Sequence, residues 1–134
     1  MPVQPVTNIY VCVTCRGAGQ PLEPKEARAG FRLHAELAAC AGEAGLAFGI
    51  IPVECLSVCK RPCTVSFAAP GKWTYIFGDL PAEGSAETVL TGAKLYAAAP
   101  DGLIPWKQRP DALKKGVVAR IPPLSPTHLP EAAA

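Results

Sequence analysis

Val53-Glu-Cys-Leu-Ser-Val-Cys-Lys-Arg-Pro-Cys-Thr-Val65 places three thiols, Cys55, Cys59 and Cys63, in one loop. The chain before it, Leu46 to Val53, is short and apolar and reads as a buried strand; the chain after it, Thr64 to Ala68, reads as another. A second pair, Cys12 and Cys15, closes the first strand of the protein, residues 8–13 (NIYVCV). Thiols gathered at strand ends point to a soft metal or an iron–sulfur cluster.

Outward from the loop, the chain alternates in type. Cys15 to Pro24 (CRGAGQPLEP) carries two glycines and two prolines and reads as a connection. Lys25 to Gly45 reads as a helix, because Leu33, Leu37, Cys40, Ala41 and Ala44 share one face of a 3.6-residue period. Gly45 suits its C-cap. A strand–helix–strand unit of this length predicts a parallel pair with a right-handed crossover. After the thiol loop, Pro70-Gly71 turns Thr64–Ala68 into Trp73–Phe77, a β-hairpin. Ser85 is placed to N-cap a second helix running to about Ala98, and Pro100-Asp101-Gly102 ends it. The expected order is β-α-β-β-β-α with four strands, an α/β thioredoxin-like core. In that order the loops after the first and second strands lie at one edge of the parallel pair, so Cys12 and Cys15 converge on Cys55, Cys59 and Cys63.

The length of 134 residues fits one folded unit. We expect a cluster-binding domain over 1–100 and, over 101–134, an extended, irregular tail packed on the same domain. Six of the fifteen prolines fall in that tail, which is why no regular element is expected there. A net charge of +2 with no basic stripe argues against nucleic acid. No apolar run approaches the roughly 20 residues of a membrane span, and MPVQPVTNIYVCV lacks the basic and apolar regions of a secretory signal. A cytoplasmic location is expected, where thiols stay reduced. There, six cysteines indicate metal or redox chemistry rather than a disulfide framework.

Three chemistries compete for the thiols. Four thiolates suit a [2Fe–2S] cluster or Zn2+ equally well. A thiol–disulfide oxidoreductase is the third, since Cys12-x-x-Cys15 follows the first strand and Pro62 precedes the third. Activating such a pair needs a helix N-terminus behind the first thiol, and Gly17, Gly19, Pro21 and Pro24 hold the helix off. Cys12-Val-Thr-Cys15-Arg-Gly-Ala-Gly19 also resembles one repeat of the zinc module of DnaJ-type chaperones, a module that needs several copies.

Cys55-Leu56-Ser57-x-Cys59, followed by a strand beginning Thr64-Val65, is similar to the Cys-Leu-Gly-x-Cys loop of thioredoxin-like [2Fe–2S] ferredoxins and of the matching subunit of respiratory NADH dehydrogenase. The resemblance implies a cluster held by Cys12, Cys15, Cys55 and Cys59. It departs from the ferredoxins in the short spacing of the first pair and in the extra Cys63, which stands as a substitute ligand. Cys-x-Thr-Cys-Arg near the start, Cys-Leu-Ser-x-Cys-x-Arg-Pro-Cys-Thr-Val, Gly71-Lys72-Trp73-Thr74-Tyr75 and Asp101-Gly102-x-Ile104-Pro105-Trp106 resemble, over nearly the whole chain, a bacterial family of predicted metal-binding proteins associated with cobalamin-biosynthesis gene neighbourhoods. The function implied is electron transfer to a partner enzyme, with service to cobalamin biosynthesis as the family's context.

Arg16, Lys60 and Arg61 flank the expected ligands. Cations beside an anionic all-thiolate centre favour its reduced form, so a potential above the roughly −400 mV of plant-type ferredoxins is expected. Lys107, Arg109, Lys114 and Lys115 make a locally basic segment suited to an acidic redox partner; a homodimer is also compatible with the sequence. No acid–base pair, nucleophile arrangement or phosphate loop supports an enzyme; Gly17-x-Gly19 lacks the third glycine of a dinucleotide site. Cys40 reads as a small core residue, His34 as a boundary residue, and His128 as a solvated one. Trp73, Tyr75 and Phe77 read as hairpin packing.

Overall fold

The structure, a computed structural model, describes residues 7–14, 24, 27–45, 48–56, 63–81 and 83–123. Cys15, Arg16, Cys59, Lys60, Arg61 and His128 lie outside the described residues, as does the tail from 124 onward.

The first strand, β1 (Asn8–Cys12), is the one on which the sheet is built. It pairs in parallel with β2 (Gly49–Val53), Cys12 opposite Val53, and antiparallel with β3 (Val65–Ala68), Val11 opposite Val65. The sheet continues through β4 (Thr74–Phe77) to β5 (Val117–Ile121), giving the order β2-β1-β3-β4-β5. The parallel pair is joined by α1 (Ala29–Glu43), and α2 (Ala86–Ala98) follows β4.

Side chains alternate across a strand, and the sheet uses that alternation to make one dry face. Ile9, Val11, Val65, Phe67, Tyr75 and Phe77 are fully buried in one cluster with Leu33 and Leu37 of α1 and Val89, Ala93 and Tyr96 of α2. The interleaved residues Tyr10, Thr74 and Ile76 are half-buried on the other face. Both helices therefore cover one side. Phe67 sits centrally, its ring 5.2 Å from Phe77 and 5.7 Å from Tyr96.

Local chemistry explains the boundaries. Arg28 is extended, so α1 starts at Ala29 rather than Lys25. Gly45, at φ +67°, follows its C-cap Ala44 and donates to Gly42 O, as a left-handed terminator does. Ala69-Pro70-Gly71-Lys72 closes the hairpin with Lys72 N on Ala69 O at 3.2 Å and Gly71 at φ +74°, the type II arrangement that glycine favours. Lys72 then reaches across to the C-terminus of α2, donating to Ala97 O at 2.8 Å and Tyr96 O at 3.3 Å, where a cation meets the negative end of the helix.

Two further sequence expectations are corrected. Ser85 is the N-cap residue of α2, but its hydroxyl donates to Pro81 O at 2.6 Å and leaves the helix amides unpaired by it. Glu36 of α1 caps them instead, its Oε1 accepting from Gly84 N at 3.1 Å and Ala86 N at 3.3 Å. A carboxylate is the stronger acceptor at a helix N-terminus, and the bond ties the two helices together. Arg32 and Glu83 form an ion pair beside it.

The tail is the second correction. Residues 101–123 are not irregular: a 3-10 turn (Trp106–Gln108) and α3 (Asp111–Lys115) lead into β5, a fifth strand where four were expected. Leu113 of α3 is fully buried, and Gly92 of α2 makes room for it; a Cβ there would overlap Leu113 Cδ1 and press on Phe67. Tyr75 Oη accepts from Ile104 N at 3.2 Å and Arg109 Nη2 at 3.1 Å, locking the turn onto β4. Among the described residues, no helix is long and apolar enough to cross a membrane.

Candidate metal centre at the end of the parallel pair

Strand directions decide where the thiols meet. β1 and β2 run in parallel, so their C-terminal ends share one edge, and β3, antiparallel to β1, begins there. Cys12 ends β1, Cys55 lies two residues beyond β2, and Cys63 lies two residues before β3. The backbone at this edge is fixed on both sides of β1. Cys12 N donates to Thr64 O at 3.1 Å, and Val13 N to Val53 O at 2.9 Å.

Within that edge the thiols differ. Cys12 is buried at 2% exposure, yet Cys55 is exposed. The Cys12 Sγ lies 3.6 Å from Glu54 O and 3.7 Å from Thr14 Oγ1, so it points toward the backbone that leads into Cys55. Thr14 also donates its hydroxyl proton to Glu54 O. Cys63 is equally buried but belongs to the helix-side core, as its even spacing from Val65 and Phe67 requires; Cys12, out of step with Ile9 and Val11, does not. Cys63 is held by two backbone bonds to Leu80, at 3.0 and 3.3 Å. Burial, and then the charge of Cys12, pushes its thiol up to about 11. A thiol held protonated by burial is a weak nucleophile.

Cys40 is not part of the edge. α1 starts at the thiol end and runs back along the sheet, which sets Cys40 about 16 Å along its axis from Ala29. There it is half-buried, and partial burial and then Glu36, Glu43 and Glu87 raise its pKa. His34 is half-buried, and its Nε2 has no hydrogen-bond partner among the described residues. The basic segment is divided. Lys114 and Lys115 end α3, whose following Gly116 accepts from Gly78 N at 2.8 Å. That places them at the thiol end of the sheet, three strand spacings or about 14 Å from β1. Lys107 is exposed on the 3-10 turn. Arg109 is turned inward; Nε and Nη2 donate to Ile104 O and Nη2 to Tyr75 Oη, with Trp106 and Tyr75 against its guanidinium. Thr14 and the Glu54 carbonyl are site groups that thiol spacing alone does not reveal.

Among the described residues, no group of three or more His, Cys, Asp or Glu is placed to hold a metal ion. Two of the four expected ligands, Cys15 and Cys59, lie outside the described residues. The two that are described, Cys12 and Cys55, supply thiols at adjacent strand ends, the donor chemistry an iron–sulfur cluster takes.

Comparison with known proteins bears on both fold and family. A family described as "Protein of unknown function (DUF1636)" matches residues 9–123. The chain belongs to that family. No curated protein matches this DUF1636 member. Among solved structures, it is similar to a thioredoxin-like [2Fe-2S] ferredoxin from Aquifex aeolicus, with TM-score 0.56 and 14% identity over 86% of this chain and 92% of that one. At that identity the likeness shows the fold alone, and the DUF1636 member has the thioredoxin-like fold. The matched stretch of the family includes β5, so the C-terminal segment lies within the family's common length.

Proposed function

We propose that the protein is a small electron carrier holding one [2Fe–2S] cluster on Cys12, Cys15, Cys55 and Cys59, and that it performs no bond chemistry of its own. The observation that carries the reading is the edge of the parallel pair. There, buried Cys12 faces the backbone leading into exposed Cys55, in a chain with the fold of a thioredoxin-like ferredoxin. The roles of Cys15 and Cys59 rest on the sequence resemblance. When bound, such a cluster supplies reversible one-electron transfer.

The chain's own residues would do the rest. The two-sided pairing of β1 holds Cys12 in a fixed, dry position, which limits the rearrangement that would slow electron transfer. Exposed Cys55 brings the other side of the site to the surface, where a partner approaches. Lys114 and Lys115, at the same end of the sheet, are suited to steer an acidic redox partner there; Arg109 is taken up by Tyr75 and Ile104 and serves the fold. Service to cobalamin biosynthesis enters only as the context of the family resembled.

Purification without oxygen tests the reading. A brown protein with iron and acid-labile sulfide in equal amounts supports it. A colourless protein carrying zinc on the same thiols, or a metal-free protein with a cycling thiol pair, overturns it.

A further inference from the structure

We infer that Thr14 is a positioning residue for the Cys12 sulfur, and that its hydroxyl hydrogen-bonds the ligating thiolate and favours the reduced state of the site. The inference rests on the cluster reading above. It begins with a triangle of three groups at the end of β1: Cys12 Sγ, Thr14 Oγ1 and Glu54 O.

With the Cys12 thiol protonated the triangle is satisfied. The Cys12 S–H donates to Glu54 O at 3.6 Å, and the Thr14 O–H donates to the same carbonyl. A carbonyl oxygen has two lone pairs and accepts both. Ligation changes the inventory, because only the thiolate binds a metal. The sulfur then has no proton to donate, and it faces the partial negative charge of the carbonyl. The Thr14 hydroxyl carries a donor within reach of it, 3.7 Å away before any adjustment, and a hydroxyl proton rotates freely. Turned from Glu54 O to Cys12 Sγ, it converts a repulsive contact into a charge-assisted hydrogen bond. Glu54 O stays in place because β2, immediately before it, is tied to β1 by the Val13–Val53 bond.

A hydrogen bond to a ligand sulfur stabilises negative charge on the centre, and the reduced state carries more of it. The potential of the site is therefore higher with the hydroxyl than without it. Spacing supports the assignment. Thr14 lies between the two thiols of Cys12-Val-Thr-Cys15, where the strand has just ended and its side chain is free of the ladder.

The test compares Thr14→Val, which keeps the shape and removes the donor, with Thr14→Ser, which keeps the donor and removes a methyl group. Both are reconstituted with iron and sulfide, assayed for iron, and titrated potentiometrically beside the wild type. A lower midpoint potential in T14V with a near wild-type value in T14S is expected. Loss of iron from T14V but not T14S also supports the hydroxyl. A T14V protein that holds its iron at the wild-type potential overturns the inference, as does loss of iron from both variants. A wild type that binds no cluster is seen before any variant is made; it removes the cluster reading, and this inference with it.

Discussion

Replacing Cys63 with alanine separates a core thiol from a ligand. Cys63 is 2% exposed, lies in the helix-side cluster with Val65 and Leu80, and is held through its backbone by Leu80. Its sulfur is comparable in size to a methylene group, so the lost transfer energy is about 1 kcal/mol. The small void left among Val65, Leu80 and their neighbours adds to it, for a total of about 1–2 kcal/mol. For a chain of this length that is a fall in melting temperature of roughly 3–8 °C. The backbone bonds to Leu80 do not involve the side chain and survive. Iron content per chain should stay at the wild-type level, whereas Cys12→Ser and Cys55→Ser should lose it. Urea unfolding followed by circular dichroism reads the first quantity, and iron assay of the anaerobically purified variants reads the second. A folded C63A protein stripped of iron would refute the argument and make Cys63 the ligand that one of the other four is not.

The same residue predicts an alkaline limit. Its thiol titrates near 9 when unfolded and is pushed up to about 11 by burial in the fold. The folded state then binds more protons than the unfolded one between those values, so the thiol's contribution to stability is constant below about pH 9 and is lost as pH rises toward 11. Unfolding free energy measured across that window should decline less steeply in C63A. Leu113→Ala should destabilise the protein by about 2–5 kcal/mol, because a fully buried leucine over Gly92 is lost; a change within error of zero would mean that the C-terminal segment is not docked. Charge reversal at Lys114 and Lys115 should slow electron delivery to an acidic partner at low salt and have little effect at high salt, where screening removes steering. Unchanged stopped-flow rates at low salt would dismiss the docking role.

Most of the fold was legible because its signals are local. The short apolar run NIYVCV, the helical period from Leu33 to Ala44, and the Pro70-Gly71 turn each prescribe an element that the structure contains. Val117–Ile121 was missed for a physical reason. Three β-branched residues in five, between Gly116 and Pro122, fit a strand, but the surrounding prolines argued for irregular chain. Those prolines bound β5 rather than break it, and what makes it a strand is the exposed edge of β4, a tertiary partner. The cap on α2 failed for a similar reason. Ser85 is a good local candidate, yet Glu36, forty-nine residues earlier, reaches the Gly84 and Ala86 amides at the helix start with a full charge. At the site, parallel pairing placed Cys12 beside the chain entering Cys55, as the order of elements implied. The separation of Cys63 onto the other face needed the register of β3, which the thiol spacing does not contain.

The central claim is that this edge holds an iron–sulfur centre that takes up single electrons. Electron paramagnetic resonance of the anaerobically purified protein after reduction with dithionite tests it most directly. A half-integer-spin signal, absent in the oxidised protein, is expected to integrate to one electron per chain and to vanish in Cys12→Ser. A reduced protein that stays silent while its thiols are occupied by zinc would contradict it.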